Sequence, residues 1–505
     1  MNILLITADQ WRADCLSAVG HPVVRTPNID ALASAGVLFR RHYTQAAPCA
    51  PARASLYTGL YQMNHRVCGN GTPLDRRHDN IALATRRVGH APTLFGYTDT
   101  GADPRAHHPA DPALLTWEGV LPGMEARAEL RDGYEDWRSW LTARGVAVPA
   151  EDPLALFAPA TGSVDPPTGA PALYRAEDSP TAYLTESFLR WLSERRDRPF
   201  FAHISWLAPH PPFIAPAPYH ERFDSHAGPD FVRAAGGLAA ERAQHPWLDH
   251  LFDHLEKGGF RPGARGSATD WSTEDTHTIR RAYWGLIAEI DDHIGHIVEA
   301  LRASGVWDRT LIVLTTDHGE MMGDHHLFGK GGYFDQSFHI PLIVRDPSRP
   351  ATHGTTVGAF TEAVDVMPTI LEAIGAPVPN QLDGRSLVPF LDGHPPRAWR
   401  EAVHWEFDFR EVATGRAQKA LGLPAERCNL AVYRTEQVKY VHFAGLPPLL
   451  FDLERDPDEL VDRAGDPAWR DVRLACAEAL LAWRAEHLDR TLTHIELTDR
   501  GPVTG

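Results

Sequence analysis

Two short, uninterrupted apolar runs, Ile3 to Thr7 and Leu311 to Thr316, constrain the fold of this chain more than any other feature. Both are short for a buried helix, and neither alternates with polar residues as a half-solvated strand does. Such runs read as strands covered on both faces, the condition of a parallel sheet flanked by helices. Both end in acid: Ala8-Asp9-Gln10 follows the first and Asp317-His318-Gly319-Glu320 the second. In open α/β sheets ligands collect past the carboxyl ends of the strands, so two remote parts of the chain are predicted to present donor atoms at one edge.

The sequence between and around these runs supplies helices and further strands. Thr26-Pro27 opens a helix, with Thr as N-cap and Pro in first place. Ser179-Pro180 opens another, with Leu184, Phe188, Trp191 and Leu192 on one face. The strongest 3.6-residue period runs from Thr273 to Ser304 through Ile279, Tyr283, Ile287, Ile290, Ile294 and Leu301, and Gly305 ends it. Pro199 to Trp206 reads as a strand that delivers His210 on a proline-rich loop, Phe338 to Val344 as a further strand, and Val364 to Ile374 as a helix. Residues 102–178, rich in Pro, Ala and Gly, read as an irregular excursion over the surface. The alternation predicts an α/β fold: a large mixed, mostly parallel sheet sandwiched by helices. Beyond about residue 385 come short runs, Val403 to Phe409, Cys428 to Tyr433, Val438 to Phe443 and Leu449 to Leu453, and a last helix from Val472 to Trp483. We therefore expect a catalytic domain over 1–385 and a small antiparallel α+β subdomain over 386–505, whose polar tail after Leu488 could reach another subunit.

Bulk properties narrow the function. A net charge of −17 argues against nucleic acid or an anionic membrane as partner, and makes any local gathering of Arg, Lys and His more meaningful. No apolar run approaches a membrane span, and the first residues lack a basic region or a long apolar stretch. Five scattered cysteines are not a disulfide framework and point to a reducing cytoplasm.

Cys49-Ala50-Pro51-Ala52-Arg53 stands out among them, with Leu56-Tyr57-Thr58-Gly59 behind it. Pro51 is expected to hold the thiol on a stiffened turn, with a helix from Ala52 to Tyr57 that Gly59 ends. A nucleophile at a helix N-terminus beside an arginine suits an anionic substrate. Asp9, Gln10, residue 49, Asp317 and His318 together would suit one divalent cation. The oxygens favour Ca²⁺, Mg²⁺ or Mn²⁺, and the imidazole shifts the choice towards Mn²⁺, Fe²⁺ or Zn²⁺.

These residues resemble the type I sulfatases and the related phosphonate monoester hydrolases of the alkaline phosphatase superfamily. The resemblance rests on Asp9-Gln10-Trp11-Arg12, Thr26-Pro27-Asn28, the Cys49 signature, Asn70, Tyr97, Pro209-His210-Pro211-Pro212, Asp317-His318-Gly319-Glu320 and Lys330, in the family's order. Asp9-Gln10 and His318 look most like the phosphonate monoester hydrolase branch, which includes cytoplasmic arylsulfatases. It implies an alkaline phosphatase-like fold and oxidation of Cys49 to formylglycine by a formylglycine-generating enzyme. It also implies one divalent metal on Asp9, Gln10, residue 49, Asp317 and His318, with Mn²⁺ preferred and Ca²⁺ the alternative. Arg53, Asn70, Tyr97, His210 and Lys330 would surround a small anionic ester, and the protein would be a homo-oligomer, dimer or tetramer.

The family's mechanism gives the modification a reason. A hydrated aldehyde has two hydroxyls: one attacks sulfur or phosphorus, and the second then drives release by C–O cleavage. His210, Lys330 or both would protonate the leaving oxygen. One position departs from the branch: Asp99 stands where its members have threonine, which disfavours doubly charged phosphate monoesters. Sulfate monoesters, phosphonate monoesters and phosphodiesters remain. The alternatives are a phosphomutase or phosphotransferase of the same superfamily, or a non-catalytic anion-binding homologue.

Overall fold

The computed structural model describes residues 1–149, 152–195 and 198–504. In chain order, the strands up to Glu362 are β1 (Asn2–Ala8), β2 (Val37–Tyr43), β3 (Ala46–Ala47), β4 (Pro92–Gly96), β5 (Glu125–Glu129), β6 (Phe201–Trp206), β7 (Thr310–Thr315), β8 (His339–Arg345) and β9 (Thr355–Glu362). Eight of them form one sheet in the order β5-β4-β6-β1-β7-β8-β2-β9. Every pairing in it is parallel except the two made by β8, so only this strand runs against the others. β1 lies between β6 and β7, which puts the ends of all three side by side.

The double burial expected of β1 and β7 is present. Leu4, Ile6, Ile312 and Leu314 join one apolar cluster, and Ile3, Leu5, Leu311 and Val313 join another on the opposite face. Six helices matter here: α1 (Pro27–Ser34), α2 (Cys49–Thr58), α3 (Pro180–Glu194), α4 (Thr273–Ala303), α5 (Val366–Ala373) and α6 (Arg470–Glu486). The first face is covered by α3 and α4, through Leu184, Phe188, Ile287, Ile290 and Ile294. The second is covered by α2 and α5, through Leu56, Tyr57, Met367 and Ile370. Full burial of each such aliphatic side chain stabilises by about 1.5–3 kcal/mol.

Several local expectations need correction. Ser272 starts α4 with a capping box closed by Asp275, and Ser179 caps α3, but the Thr26 side chain does not cap α1. Its hydroxyl bonds Ser17, while Asp291 on α4 accepts from the Asn28 and Ile29 N–H groups at 3.2 and 2.8 Å. A cap supplied from another helix leaves no local sequence pattern. Residues 102–178, of which 150 and 151 lie outside the described residues, are not merely a surface excursion. They contribute the edge strand β5 and a helix over Glu135–Ala143 that buries Trp137 and Leu141. β2 and β9 escaped the sequence reading because Arg40 and Arg41 interrupt one and polar residues start the other, as suits strands at a sheet margin.

The second sheet has the order β13-β12-β11-β10-β3, with β10 (Val403–Asp408), β11 (Asn429–Arg434), β12 (Val438–Phe443) and β13 (Leu449–Asp452) forming an antiparallel meander. β3 adds to it in parallel, with Ala46 and Ala47 opposite Glu406 and Phe407. The C-terminal sheet therefore grips the chain two residues before Cys49. The tail holds a hairpin of β14 (Ile495–Thr498) and β15 (Gly501–Thr504). Among the described residues no helix is long and apolar enough to cross a membrane.

Candidate active site

The strand ends deliver the site. Asp9 and Gln10 follow β1, Asp317 and His318 lie just beyond β7, and Tyr97 follows β4. Gly96, at φ 124°, ends β4 where a Cβ would meet the Ser205 carbonyl oxygen at 2.0 Å, so β4 approaches β6 only because this residue is glycine. Cys49 is the first residue of α2, so the helix starts three residues earlier than expected, and Pro51 stiffens its first turn rather than a preceding turn. Gly59, at φ 66°, ends it as expected.

Asp9, Cys49, Asp317 and His318 place one donor atom each within 4.8 Å of one another, all buried. His318 Nε2 lies 3.3 Å from Cys49 Sγ and 3.8 Å from Asp9 Oδ1. His318 Nδ1 is 3.1 Å from the Gly319 carbonyl, which can only accept, so the proton sits on Nδ1 and the Nε2 lone pair faces the cluster. Among the described residues Asp9 Oδ1 is buried with no hydrogen-bond partner. Gln10, at φ 68°, turns its side-chain oxygen to within 2.6 Å of Lys330 Nζ. An orphaned carboxylate oxygen and a bare imidazole nitrogen in one buried cluster fit a divalent cation.

Arg53 was expected around the ester. It is buried instead, and its three nitrogens donate to protein acceptors: Nη2 to Asp9 Oδ2 at 3.0 Å, Nε to Asp317 Oδ2 at 2.9 Å, and Nη1 to Ser205 Oγ and the Tyr97 carbonyl at 2.8 and 3.0 Å. This forked donor spans both carboxylates, and its plane lies over the Tyr97 ring. The Tyr97 hydroxyl donates to Asp9 Oδ2 at 2.7 Å, so this residue too faces the carboxylate. Asp99, at φ 48°, sets Oδ2 3.5 Å from Arg53 Nε. Burial, with the added repulsion of Asp9 and Asp317, pushes its carboxyl well above the usual range despite Arg53. Asn70 accepts the Ala50 N–H at 3.0 Å and so caps the helix that carries Cys49.

His210 Nδ1 donates to the Pro211 carbonyl at 2.6 Å, which leaves Nε2 as an acceptor in the neutral ring. Burial, reinforced by Lys330, pulls His210 down to about 3. Burial would lower the Lys330 ammonium, but Cys49, Asp9, Asp317 and Glu320 outweigh it and hold the pKa above its ordinary value. Burial, with the Asp9 carboxylate, pushes the Cys49 thiol well up. Sequence reasoning gave no role to Glu320, three residues past Asp317. It accepts from Gln10 Nε2, and from the Met322 and Gly329 N–H groups at 2.9 and 2.6 Å.

The sheet topology and this donor set suit a hydrolase of sulfate or phosphonate esters, with Cys49 on the first turn of a helix beside a candidate metal site. The comparisons agree. The model of the sulfatase family matches residues 1–376, and that of the N-sulphoglucosamine sulphohydrolase C-terminal region matches residues 323–486. The phosphonate monoester hydrolase of Agrobacterium radiobacter is 53% identical, with a TM-score of 0.97 over 100% of this chain and 99% of that one. The phosphonate monoester hydrolase SpPMH of Silicibacter pomeroyi is 40% identical, with a TM-score of 0.93 over the same shares. The multifunctional alkaline phosphatase superfamily protein PehA of Trinickia caryophylli is 42% identical over 100% of this chain and 99% of its own length. The chain belongs to the sulfatase family.

Proposed function

We propose that this hydrolase acts on singly charged esters, namely sulfate monoesters, phosphonate monoesters and phosphodiesters, using a formylglycine formed from Cys49. The convergence of Asp9, Cys49, Asp317 and His318 within 4.8 Å carries the reading. The family implies a divalent metal and formylglycine in general; Mn²⁺ is our choice, because an imidazole joins the oxygen donors. When bound, the cation supplies positive charge against the ester and acidifies an oxygen of residue 49, whose hydrate offers a second hydroxyl for release.

The protein's own groups do the rest. Arg53 is read as a positioning residue: it holds Asp9 and Asp317 at a fixed spacing and does not reach the ester. Lys330 is the general acid, because its ammonium is the protonated group beside the site, while His210 presents a lone pair and orients the ester or its leaving oxygen. Asn70, exposed at the mouth, keeps its amide nitrogen for an ester oxygen. A nearby cation favours the ionised form of Asp99. Against the ionised carboxylates of Asp9, Asp99 and Asp317, Arg53, Lys330 and a divalent cation leave at most one net positive charge, and none where Glu320 is ionised too. That suits a monoanion better than a dianionic phosphate monoester.

The test compares kcat/KM for an aryl sulfate, an aryl phosphonate monoester, a bis-aryl phosphate and an aryl phosphate, together with the mass of the peptide carrying residue 49 after expression with a formylglycine-generating enzyme. Loss of sulfur and gain of oxygen in that peptide, with the aryl phosphate the poorest substrate, is expected. An unmodified thiol in active enzyme, or a preference for the phosphate monoester, overturns the reading.

A further inference from the structure

Gln10 and Glu320 are both fully buried, and their side chains are hydrogen-bonded to each other. Glu320 Oε1 is committed to the Met322 and Gly329 N–H groups, at 2.9 and 2.6 Å, and Gly329 immediately precedes Lys330. Its other oxygen accepts from Gln10 Nε2. The Lys330 ammonium and an amide nitrogen both only donate, so the end of the Gln10 amide that meets Lys330 must be the oxygen and the end that meets Glu320 the nitrogen. Nitrogen faces Glu320, and oxygen faces Lys330 Nζ at 2.6 Å, the ammonium on which Cys49, Asp9 and Asp317 also act. The Gln10 backbone is anchored separately: its N–H donates to Asp317 Oδ1 at 3.2 Å and its carbonyl accepts from the Tyr283 hydroxyl at 2.8 Å. The side chain alone is left to be oriented.

We propose that Glu320 is a positioning residue that makes glutamine the working metal ligand at position 10, by holding its amide oxygen towards the cation. The inference rests on the metal reading above. A glutamine at position 320 would keep one oxygen for the Met322 and Gly329 N–H groups and turn its own NH₂ on Gln10. The Gln10 amide would then flip to accept, aiming N–H donors at both the cation and the Lys330 ammonium. A glutamate at position 10, which has the shape of glutamine, would set a second buried carboxylate against Glu320, with no donor between them. Gln10 and Glu320 therefore form a matched pair. Making Gln10→Glu and Glu320→Gln together exchanges donor and acceptor at equal side-chain length and restores the match.

The experiment is a double-mutant cycle of wild type, Glu320→Gln, Gln10→Glu and the double variant, at pH 8. Mn²⁺ dissociation constants come from competition with a chelating dye, and melting temperatures from the chelator-treated proteins. Loss of an orienting partner weakens metal binding typically by about 10–100-fold. We expect Glu320→Gln to bind Mn²⁺ that much more weakly, Gln10→Glu to melt below wild type without metal, and the double variant to recover most of both losses. Wild-type Mn²⁺ affinity in Glu320→Gln, or purely additive losses in the double variant, overturns the pairing while leaving the metal site standing. A wild-type protein that binds no divalent cation overturns the metal reading and the pairing with it.

Discussion

Replacing Arg53 by methionine is the most demanding test of how the site is held. Methionine keeps much of the volume and removes the charge. Arg53 is 1% exposed and bridges Asp9 at 3.0 Å and Asp317 at 2.9 Å, two carboxylates that are themselves buried. Removing one partner of a buried ion pair costs about 3–5 kcal/mol, because the other charge stays behind. Here two carboxylates lose the same partner, Asp99 lies 3.5 Å from it, and Ser205 and the Tyr97 carbonyl each lose a donor. The losses share one side chain and are not additive, so we expect at least about 3–5 kcal/mol in chelator-treated protein. Added Mn²⁺ should recover part of it, since a cation among the same carboxylates replaces some of the missing charge. The assay is urea denaturation of wild type and variant, each with chelator and with saturating Mn²⁺. A chelator-treated Arg53→Met within about 0.5 kcal/mol of wild type, the range of an ordinary surface change, would falsify the positioning role.

Other consequences can be checked independently. Lys330→Ala should cost about 10²–10⁴-fold in kcat for esters with poor leaving groups and much less for good ones; a uniform loss across a leaving-group series removes the general-acid role. Cys49→Ala should abolish turnover while leaving the circular dichroism spectrum and melting curve near wild type. Glu289, fully buried on α4, is pushed up to about 8 by burial, with Asp292 adding to the effect. The folded state then holds a proton that the unfolded chain releases above about pH 4.3, so stability from this group falls with rising pH across that window, by at most about 1.4 kcal/mol per unit. Glu289→Gln should therefore gain on wild type between pH 6 and 8.5, and a urea midpoint of the variant minus that of wild type that stays constant or falls over this range refutes the assignment. Asp291→Ala, which uncaps α1 from a distance, should cost about 1–2 kcal/mol, read in the same denaturation assay.

Much of the fold was legible because it rests on local pattern. The unbroken runs at Ile3 and Leu311, the long period from Thr273 and the turn to short strands after residue 385 each appear where the chain says they should. β2 and β9 were not legible, since margin strands carry charged and polar residues and imitate loops. The cap that Asp291 gives α1 was hidden by distance along the chain.

The site divides in the same way. The residue types that gather there, two strand-end carboxylates, a glutamine, a histidine and a cysteine ahead of an arginine, were determined by the sequence alone, since each sits in a recognisable short pattern. The direction in which each side chain points was decided only by the tertiary structure. Arg53 could have faced the ester or the carboxylates, Tyr97 the ester or Asp9, and Glu320 carried no assigned role until Gln10 lay against it. Hydrogen bonds between groups hundreds of residues apart choose among such orientations, and neither composition nor spacing records which neighbour a folded sheet will bring.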